Sequence, residues 1–339
     1  MEKRILECVP NFSEGRNMNI IAEIADEIKS VIGVELLDID AGKDANRTVV
    51  TFVGNPDAVI EAAFLAVKKA AQLIDMSKHH GAHPRIGATD VCPLIPVSGI
   101  TMDEAVVYAR KLAMRIGNEL AIPVYCYENA AFVYERKNLA NCRRGEYEGL
   151  AKKLLNARWK PDYGAAVFNK RSGATVVGAR NFLVAYNVNL NTTSAELAHA
   201  IACDVREKGK TIEDANGKTT TIPGSLQAVK AIGWFIDEFG KAQVSMNLTD
   251  ITTTPLHIAF EEVCRKAKAI GVEVTGSELV GLIPLEALLQ AGQYFLHKQK
   301  QPVDVSADEL INVAIKSLGL NDVKPFNPAE KIIDYVMSG

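Results

Sequence analysis

The order of strand-like and helix-like segments in the first half of the chain recurs in the second half. In the first half, apolar periodicity predicts strand 4–9, helix 18–31, strands 34–39 and 48–53, helix 55–76 and strand 89–97. In the second half it predicts strand 182–190, helix 195–207, strands 226–235 and 242–248, helix 254–269 and strand 272–282. A β-α-β-β-α-β order is typical of a ferredoxin-like unit. The sequence therefore predicts an α+β fold with two ferredoxin-like subdomains.

Such a unit packs its helices on one face of the sheet and leaves the other face free. Two free faces in one chain suggest two sheets that face each other across a cleft. The expected domains are an N-terminal subdomain at 1–180, a C-terminal subdomain at 181–325 and a tail helix at 326–339. Outside the repeat we predict a helix at 102–116, a strand at 122–127, a polar mobile excursion at 208–224, and helices packed on the outside at 310–318 and 328–336.

Length and composition narrow the class of protein. A chain of 339 residues is long for a single core, which favours two domains. The net charge of −3 argues against non-specific nucleic-acid binding, which needs a basic face. No apolar run reaches the roughly 20 residues of a membrane span, and no signal-peptide core follows Met1. The six cysteines form no CxxC pair, so we expect buried reduced thiols in a cytoplasmic protein.

Three of the six histidines lie within five residues, His79, His80 and His83, between a predicted helix and a predicted strand. Histidine has an unperturbed pKa of about 6.5 and can exchange a proton near neutral pH. His83 is held extended by the proline that follows it, which favours a catalytic role. For His79 and His80 the alternative is a structural role, capping the preceding helix or lying in solvent. The pattern therefore indicates an enzyme, with His83 as the histidine for which a functional role is favoured.

A zinc site is the second interpretation of this cluster. His79 and His83 have the i, i+4 spacing of ligands on one helix. Gly81 and Pro84 would break such a helix, and no third ligand lies nearby in the sequence. We therefore expect no metal.

The segment around His83, HHGAHPRIGATDVCPLIPV, resembles the formiminotransferase domain of formiminotransferase-cyclodeaminase and the stand-alone bacterial and archaeal glutamate formimidoyltransferases. The resemblance continues, in the same order and as far as about Leu318, through LECVPNFSEGRN, LLDIDAG, NRTVVTFVG, AIPVYCYE, RWKPDYG, GATVVGARNFLVAYNVNL, KAIGWFIDE, QVSMNLTD and ELVGLIPLEAL. No part of the chain resembles the cyclodeaminase, so deaminase activity is not expected.

The resemblance implies transfer of a formimino group from N-formiminoglutamate to tetrahydrofolate, which gives 5-formiminotetrahydrofolate and glutamate. It implies that His83 is the acid/base, that a substrate tunnel runs between two facing sheets, and that the protein is a homodimer. Tetrahydrofolate would be a co-substrate, with no permanently bound cofactor. Two alternatives stay open: a related enzyme that uses N-formylglutamate or 5-formyltetrahydrofolate, and a non-catalytic folate-binding protein.

The chemistry of the transfer suggests further site residues. The amidinium carbon carries positive charge, so a carboxylate should face it, and Asp40 is the candidate. On a strand, Asp38 and Asp40 share one face while Ile39 points to the other. If Ile39 lies in the helix-side core, both acids line the free face. The alternative for Asp40 is a turn-capping role.

Two anionic substrates also require cations and amides. Arg47 and Arg85 suit the carboxylates of glutamate, or else form ordinary surface ion pairs. Three asparagines, Asn11, Asn187 and Asn189, fit the edge of the pterin ring, or else pair with neighbouring loops. By resemblance, folate contacts are expected in the segment from Gly164 to Ala174, at Gly164, Ala165, Ala166, Val167, Phe168, Gly173 and Ala174.

Overall fold

A computed structural model describes residues 4–213 and 219–336. The chain divides into two compact units, Met1–Asn181 and Phe182–Gly339. The elements of the first unit are β1 (Ile5–Cys8), β2 (Asn11–Phe12), α1 (Met18–Lys29), β3 (Val34–Gly42), β4 (Arg47–Gly54), α2 (Pro56–Leu73), β5 (Thr89–Ser98), α3 (Met102–Glu119), β6 (Val124–Glu128), α4 (Leu139–Arg143), α5 (Glu146–Leu154) and β7 (Thr175–Ala179). The β-α-β-β-α-β order predicted for the first half of the chain is confirmed by β1, α1, β3, β4, α2 and β5.

The sheet of the first unit has the strand order of a ferredoxin-like fold, extended at one edge. β1 and β2 are two halves of one strand, because both pair antiparallel with β4 and with β5. β3 completes the antiparallel part beyond β4. Beyond β5 lie β7 and β6, both parallel to their neighbours. The prediction from periodicity included β6 but missed β7, whose five buried residues are too few for a pattern of period two to stand out.

Capping residues and apolar stripes explain the helices of the first unit. Asn17 and Asn55 cap α1 and α2, and Thr101 forms a capping box with Glu104 at the start of α3. All three helices bury one face against the sheet in a single core with Leu6, Cys8 and Phe52. A smaller core on the opposite face packs α4 and α5 over β6 and β7. The remainder of that opposite face carries the candidate site.

The second unit repeats the same strand order. Its elements are β8 (Val184–Leu190), α6 (Ala195–Val205), β9 (Lys210–Glu213), β10 (Thr219–Ile222), β11 (Val229–Ile236), β12 (Lys241–Leu248), α7 (Leu256–Ala269), β13 (Val274–Val280), α8 (Leu285–Lys298), α9 (Ala307–Leu318), α10 (Pro328–Lys331) and α11 (Ile333–Val336). The sheet runs β11-β12-β8-β13, all antiparallel. With β8 as first strand, this is the topology of β3-β4-β1-β5 in the first unit.

One prediction for the second unit needs correction. The polar segment predicted to be mobile, 208–224, contains the paired antiparallel strands β9 and β10, and its mobility stays a prediction. The part of that prediction that falls on 214–218 lies outside the described residues. The C-terminal helices are not peripheral, since Ile311, Ala314 and Leu318 of α9 lie in the main core and Ile332 is fully buried. Gly292 permits this packing, because a Cβ there would lie 2.2 Å from a carbonyl oxygen of α9.

Among the residues with described coordinates, no helix is long and apolar enough to cross a membrane. All six cysteines are free thiols, and five of them are buried.

Candidate active site

The histidine-rich loop, residues 79–88, is held against the turn between β3 and β4. The backbone N–H of Ala82 donates to the Asp44 carbonyl at 3.0 Å, and Asn46 Nδ2 donates to the His80 carbonyl at 2.9 Å. Gly81 is required at the contact, because a Cβ there would lie 2.3 Å from a backbone oxygen of the turn. Asn46 adopts a positive φ of 46°, which asparagine tolerates better than most residues. Sequence reasoning missed Asn46, although an asparagine in a strand-to-strand turn was an available signal.

His83 lies beside Arg47 and Asn11. Arg47 Nη1 is 3.0 Å from His83 Nε2 and donates to Asn11 Oδ1 at 2.8 Å. A guanidinium can only donate, so His83 Nε2 accepts and the neutral ring carries its proton on Nδ1. Burial of the ring, reinforced by the guanidiniums of Arg47 and Arg143, holds the pKa of His83 well below its ordinary value. His83 is therefore an uncharged base at neutral pH, with its lone pair directed at a cation.

Asp38 and Asp40 lie on the sheet face opposite the helices. In the register of β3 on β4, Asp40 is opposite Val49 and Asp38 is opposite Thr51, whereas Leu36 is opposite Phe52 of the helix-side core. A bulge between Leu36 and Asp38 shifts the alternation by one residue, which is why Leu36 and Asp38 lie on opposite faces. The shared face predicted for the two acids is confirmed. The condition on which we based it, that Ile39 lies in the helix-side core, is not met. Ile39 is 36% exposed and lies outside that core.

Arg85 is buried, and other residues of the first unit take all of its side-chain donors. It forms a bidentate pair with Glu148 at 2.7 and 2.8 Å and reaches Glu146 at 3.1 Å. Its Nε and Nη2 also donate to Nδ1 and the carbonyl of His79, each at 3.2 Å. The pair lowers the pKa of Glu148 to about 2. The expected use of Arg85 for a substrate carboxylate therefore conflicts with the geometry, because five N–H groups already have five acceptor contacts.

His79 connects Arg85 to the turn that holds the loop. Its Nε2 lies 2.8 Å from the Asn46 carbonyl and donates to it, while its Nδ1 accepts from Arg85. Burial lowers the pKa of His79 and favours this neutral form. His80 is exposed. Within residues 4–213 and 219–336, no group of three His, Cys, Asp or Glu side chains could hold a metal ion.

A buried ion pair anchors the far end of the loop. Asp90 accepts from the Ile86 backbone N–H at 2.9 Å and from Arg143 Nε at 2.9 Å. Arg143, at the end of α4, also contributes to the low pKa of His83. Neither residue was identified from the sequence. Asp90 carried the available signal, since a carboxylate in an apolar strand must be paired when it is buried.

The segment from Gly164 to Ala174 returns to the histidine loop at its C-terminal end. Gly173 has a positive φ of 67°, and a Cβ there would lie 2.2 Å from the Ile86 carbonyl. Ala174 is fully buried and donates its backbone N–H to Ile86 at 3.0 Å. At the other end, Gly164 is partly exposed and has a φ of 79°, and the exposed residues that follow it are Ala165, Ala166 and Val167. Phe168 packs on Tyr147, with ring centroids 5.4 Å apart.

In the second unit, Asn187 and Asn189 point to the same face of β8, as their alternation predicts. Asn187 Nδ2 donates to Glu278 at 3.1 Å. Asn189 is fully buried, and it accepts from Gln243 at 2.8 Å and donates to Asp322 at 2.9 Å. Both amides therefore pair within the unit, but mainly with side chains of the adjacent strands β12 and β13, and with a loop only at Asp322.

Comparisons with known proteins agree on one family. Residues 5–180 match the family model described as "Formiminotransferase domain, N-terminal subdomain", and residues 185–338 match "Formiminotransferase domain". A formimidoyltransferase-cyclodeaminase of Gallus gallus is 47% identical over 334 residues, which cover 98% of this chain and 60% of that protein. Glutamate formimidoyltransferases of Streptococcus pyogenes and Thermoplasma acidophilum are 44% and 42% identical, over 86% of this chain and 93% and 92% of theirs. The chain thus spans about 60% of the length of its cyclodeaminase-containing relatives.

Proposed function

The chain belongs to the formiminotransferase family, and from this membership we propose that it transfers the formimino group of N-formiminoglutamate to tetrahydrofolate. The products are 5-formiminotetrahydrofolate and glutamate. The observation that carries this proposal is the contact between Arg47 and the neutral imidazole of His83, with Asn11 bound to the same guanidinium. A base and a carboxylate-binding cation in one contact suit a reaction that moves a proton at the amidine of a substrate that also carries carboxylates.

In the proposed reaction, N5 of tetrahydrofolate attacks the formimino carbon and forms a C–N bond. His83 Nε2 takes the proton from N5 as the tetrahedral intermediate forms. His83 then returns that proton to the glutamate nitrogen, and the bond from this nitrogen to the formimino carbon breaks. General acid–base catalysis of this kind contributes roughly 10²–10⁴ in rate. The low pKa of His83 supports the first step, because the ring is unprotonated before the substrate binds.

Arg47 has two roles in this proposal. It blocks Nε2 of His83 in the described geometry, so substrate must displace it before His83 can accept a proton. The released guanidinium then binds a carboxylate of formiminoglutamate, for which its planar fork is suited. Asp40, on the same sheet face, stabilises the cationic amidine.

The other site residues have binding or structural roles. Asn11 binds the pterin or holds Arg47 in place, and the exposed part of the segment from Gly164 to Ala174 contacts the folate. We assign Arg85 to positioning the histidine loop, since its donors are occupied. We assign Asn187 and Asn189 to the stability of the second unit. A tunnel between facing sheets, homodimerisation and a cytoplasmic location are further predictions from the family.

The test is a stopped-time assay with tetrahydrofolate and either N-formiminoglutamate or N-formylglutamate. Acid converts 5-formiminotetrahydrofolate to the methenyl form, whose absorbance is read. We expect product from the formimino donor and at least about 100-fold less from the formyl donor, which lacks the cationic nitrogen that Asp40 would recognise. Product from the formyl donor alone would move the assignment to formyl transfer. Folate binding with no product from either donor would support the non-catalytic alternative.

A further inference from the structure

Glu7 is a buried carboxylic acid that the proposed reaction does not use. It lies within β1, is 1% exposed, and its neighbours Leu6 and Cys8 enter the helix-side core. Because side chains alternate along a strand, Glu7 points to the opposite face, where the candidate site lies. Its Oε2 has no hydrogen-bond partner in the described part of the chain. Leaving a buried carboxyl oxygen without a donor is costly, and such groups in native proteins call for an explanation.

An ordinary structural role does not account for this carboxyl. The nearest cation is Arg180, whose charge only partly offsets the effect of burial, and burial raises the pKa of Glu7 to about 7. The backbone of Arg180 is bound to β5 through the Leu94 carbonyl at 3.0 Å, and its guanidinium is hydrogen-bonded to Tyr127. Among residues 4–213 and 219–336, Glu7 lies in no ion pair comparable to those of Asp90 or Asp162, whose carboxylates bind Arg143 and Arg136.

Glu7 and the His83 site lie along one strand. The register of β1 and β2 on β4 is continuous, with Glu7 opposite Val53 and Asn11 opposite Val49. Glu7, Val9 and Asn11 therefore share a face, and Asn11 is four steps along the strand from Glu7, about 13 Å. Asn11 is bound to Arg47, which contacts His83. Val9 lies between the two polar residues and is partly exposed.

We propose that Glu7 binds the 2-amino and N3–H edge of the pterin ring of tetrahydrofolate. In its ionised form, which two N–H donors would favour, the carboxyl offers two acceptor oxygens to two parallel N–H groups, the arrangement that makes arginine–carboxylate pairs strong and directional. The flat ring would lie over Val9, with N5 directed towards His83 and the pyrimidine edge towards Glu7. This inference rests on the proposed function and specifies how that reaction orients its acceptor.

The test compares the Glu7→Gln variant with wild type and with Glu35→Gln as a matched control. Glu35 of β3 pairs with the same Val53 of β4 as Glu7 does, from the other edge of β4, but unlike Glu7 it is exposed. We expect Glu7→Gln to raise the Kd for tetrahydrofolate about 10- to 100-fold, the range for hydrogen bonds to a charged group, with the KM for formiminoglutamate unchanged. Glu35→Gln should match wild type in both. An unchanged Kd for tetrahydrofolate in a folded Glu7→Gln protein would overturn the inference.

A second measurement uses the wild-type protein alone, in case Glu7→Gln does not fold. Calorimetry would compare the binding of pterin and of lumazine, in which an oxygen acceptor replaces the 2-amino donor. We expect wild type to prefer pterin about 10-fold or more, because the carboxylate would face the lumazine oxygen. Equal affinity, or no binding of either ring, would contradict the assignment. Turnover of formiminoglutamate is measured separately, so a failed transfer reaction would not be mistaken for a failed pterin contact.

Discussion

The first strands of the two sheets occupy the same place in the strand order, but their buried polar side chains are paired differently. The first strand of the second unit, β8, carries Asn187 and Asn189, and both amides are paired with neighbouring side chains. The first strand of the first unit carries Glu7 and Asn11 at alternating positions. Asn11 is bound to Arg47 of the candidate site, while Glu7 has an oxygen without a donor. One fold thus supports a saturated network in one unit and an incomplete one in the other.

The difference indicates which polar positions serve stability and which serve function. Saturated buried networks fix a single packing arrangement, because each member has its partner before any ligand arrives. In the second unit Gln243 extends the network, accepting from Trp234 Nε1 at 2.9 Å and donating to Asn189. In the first unit, burial and the neighbouring cation hold His83 uncharged, which keeps Nε2 unprotonated at the expense of stability in acid. We therefore expect substitutions in the two units to affect different measurements.

The largest effect expected is the loss of turnover in His83→Ala. Removing the acid/base should lower kcat by about 10²–10⁴-fold, with the thermal midpoint nearly unchanged. The measurement is the methenyl absorbance assay at saturating substrates, paired with circular dichroism. His80→Ala, in the same loop but exposed, is the control and should keep full activity. Full turnover by a folded His83→Ala protein would show that His83 is not the acid/base of the reaction.

A smaller effect is expected from Asp40→Asn. The substitution removes a charge but keeps the shape, so it should lower kcat by about 10²-fold through weaker stabilisation of the amidine cation. Asp38→Asn is the matched control on the same strand face, next to Thr51. Equal losses in the two variants would mean that the general charge of this face, and not the position of Asp40, supports the reaction.

The fold could be predicted from the sequence because its signals are local. Strands and amphipathic helices have characteristic periods, and caps such as Asn55 and Ser194 are visible as single residues. The repeated order then determined the topology of both units. β7 was missed because it pairs in parallel with β5 and β6, which lie far from it in sequence. Its position depends on tertiary contacts, and no local pattern reports those.

The site could be predicted only in part, for a related reason. His83 and the shared face of the two aspartates follow from neighbouring residues in the sequence. The hydrogen-bond partners of Arg85 could not be predicted in this way, because Glu146 and Glu148 lie on α5, more than sixty residues away. An arginine two residues after a candidate catalytic histidine has the same appearance in sequence whether it binds substrate or a glutamate. Only the geometry showed that its donors were taken.

Arg47→Gln should change the pH dependence more than the maximal rate. The guanidinium lowers the pKa of His83, so removing it should raise that pKa towards its ordinary value. A base is active when unprotonated, and the acid limb of kcat/KM should therefore move to higher pH. The KM for formiminoglutamate should also rise about 10-fold from the lost carboxylate contact. Arg265→Gln, an exposed arginine on α7 of the second unit, is the control. An acid limb that stays in place would show that Arg47 does not control His83.

The smallest effect on turnover is expected in the second unit, from Asn189→Ala. This substitution removes one partner of Gln243 and one partner of Asp322, so the free energy of unfolding should fall by about 1–3 kcal/mol. Each unit has its own hydrophobic core, so the measurement uses a probe within the second unit. The tryptophans are Trp159 and Trp234, one in each unit, and a Trp159→Phe background leaves Trp234 as the reporter.

In that background, urea denaturation of Asn189→Ala should show an earlier Trp234 transition, while kcat and the KM for tetrahydrofolate stay within about twofold of the parent. Asn191→Ala, two residues further along and exposed, separates loss of the buried network from loss of any asparagine near this strand end. The opposite pattern, unchanged stability with a KM for tetrahydrofolate raised about 10-fold, would place Asn189 in the folate site. The paired side chains around Asn189 would then form a ligand site, in which they hydrogen-bond to one another until substrate replaces those hydrogen bonds. The difference in hydrogen bonding between the two sheets would then be smaller than we propose.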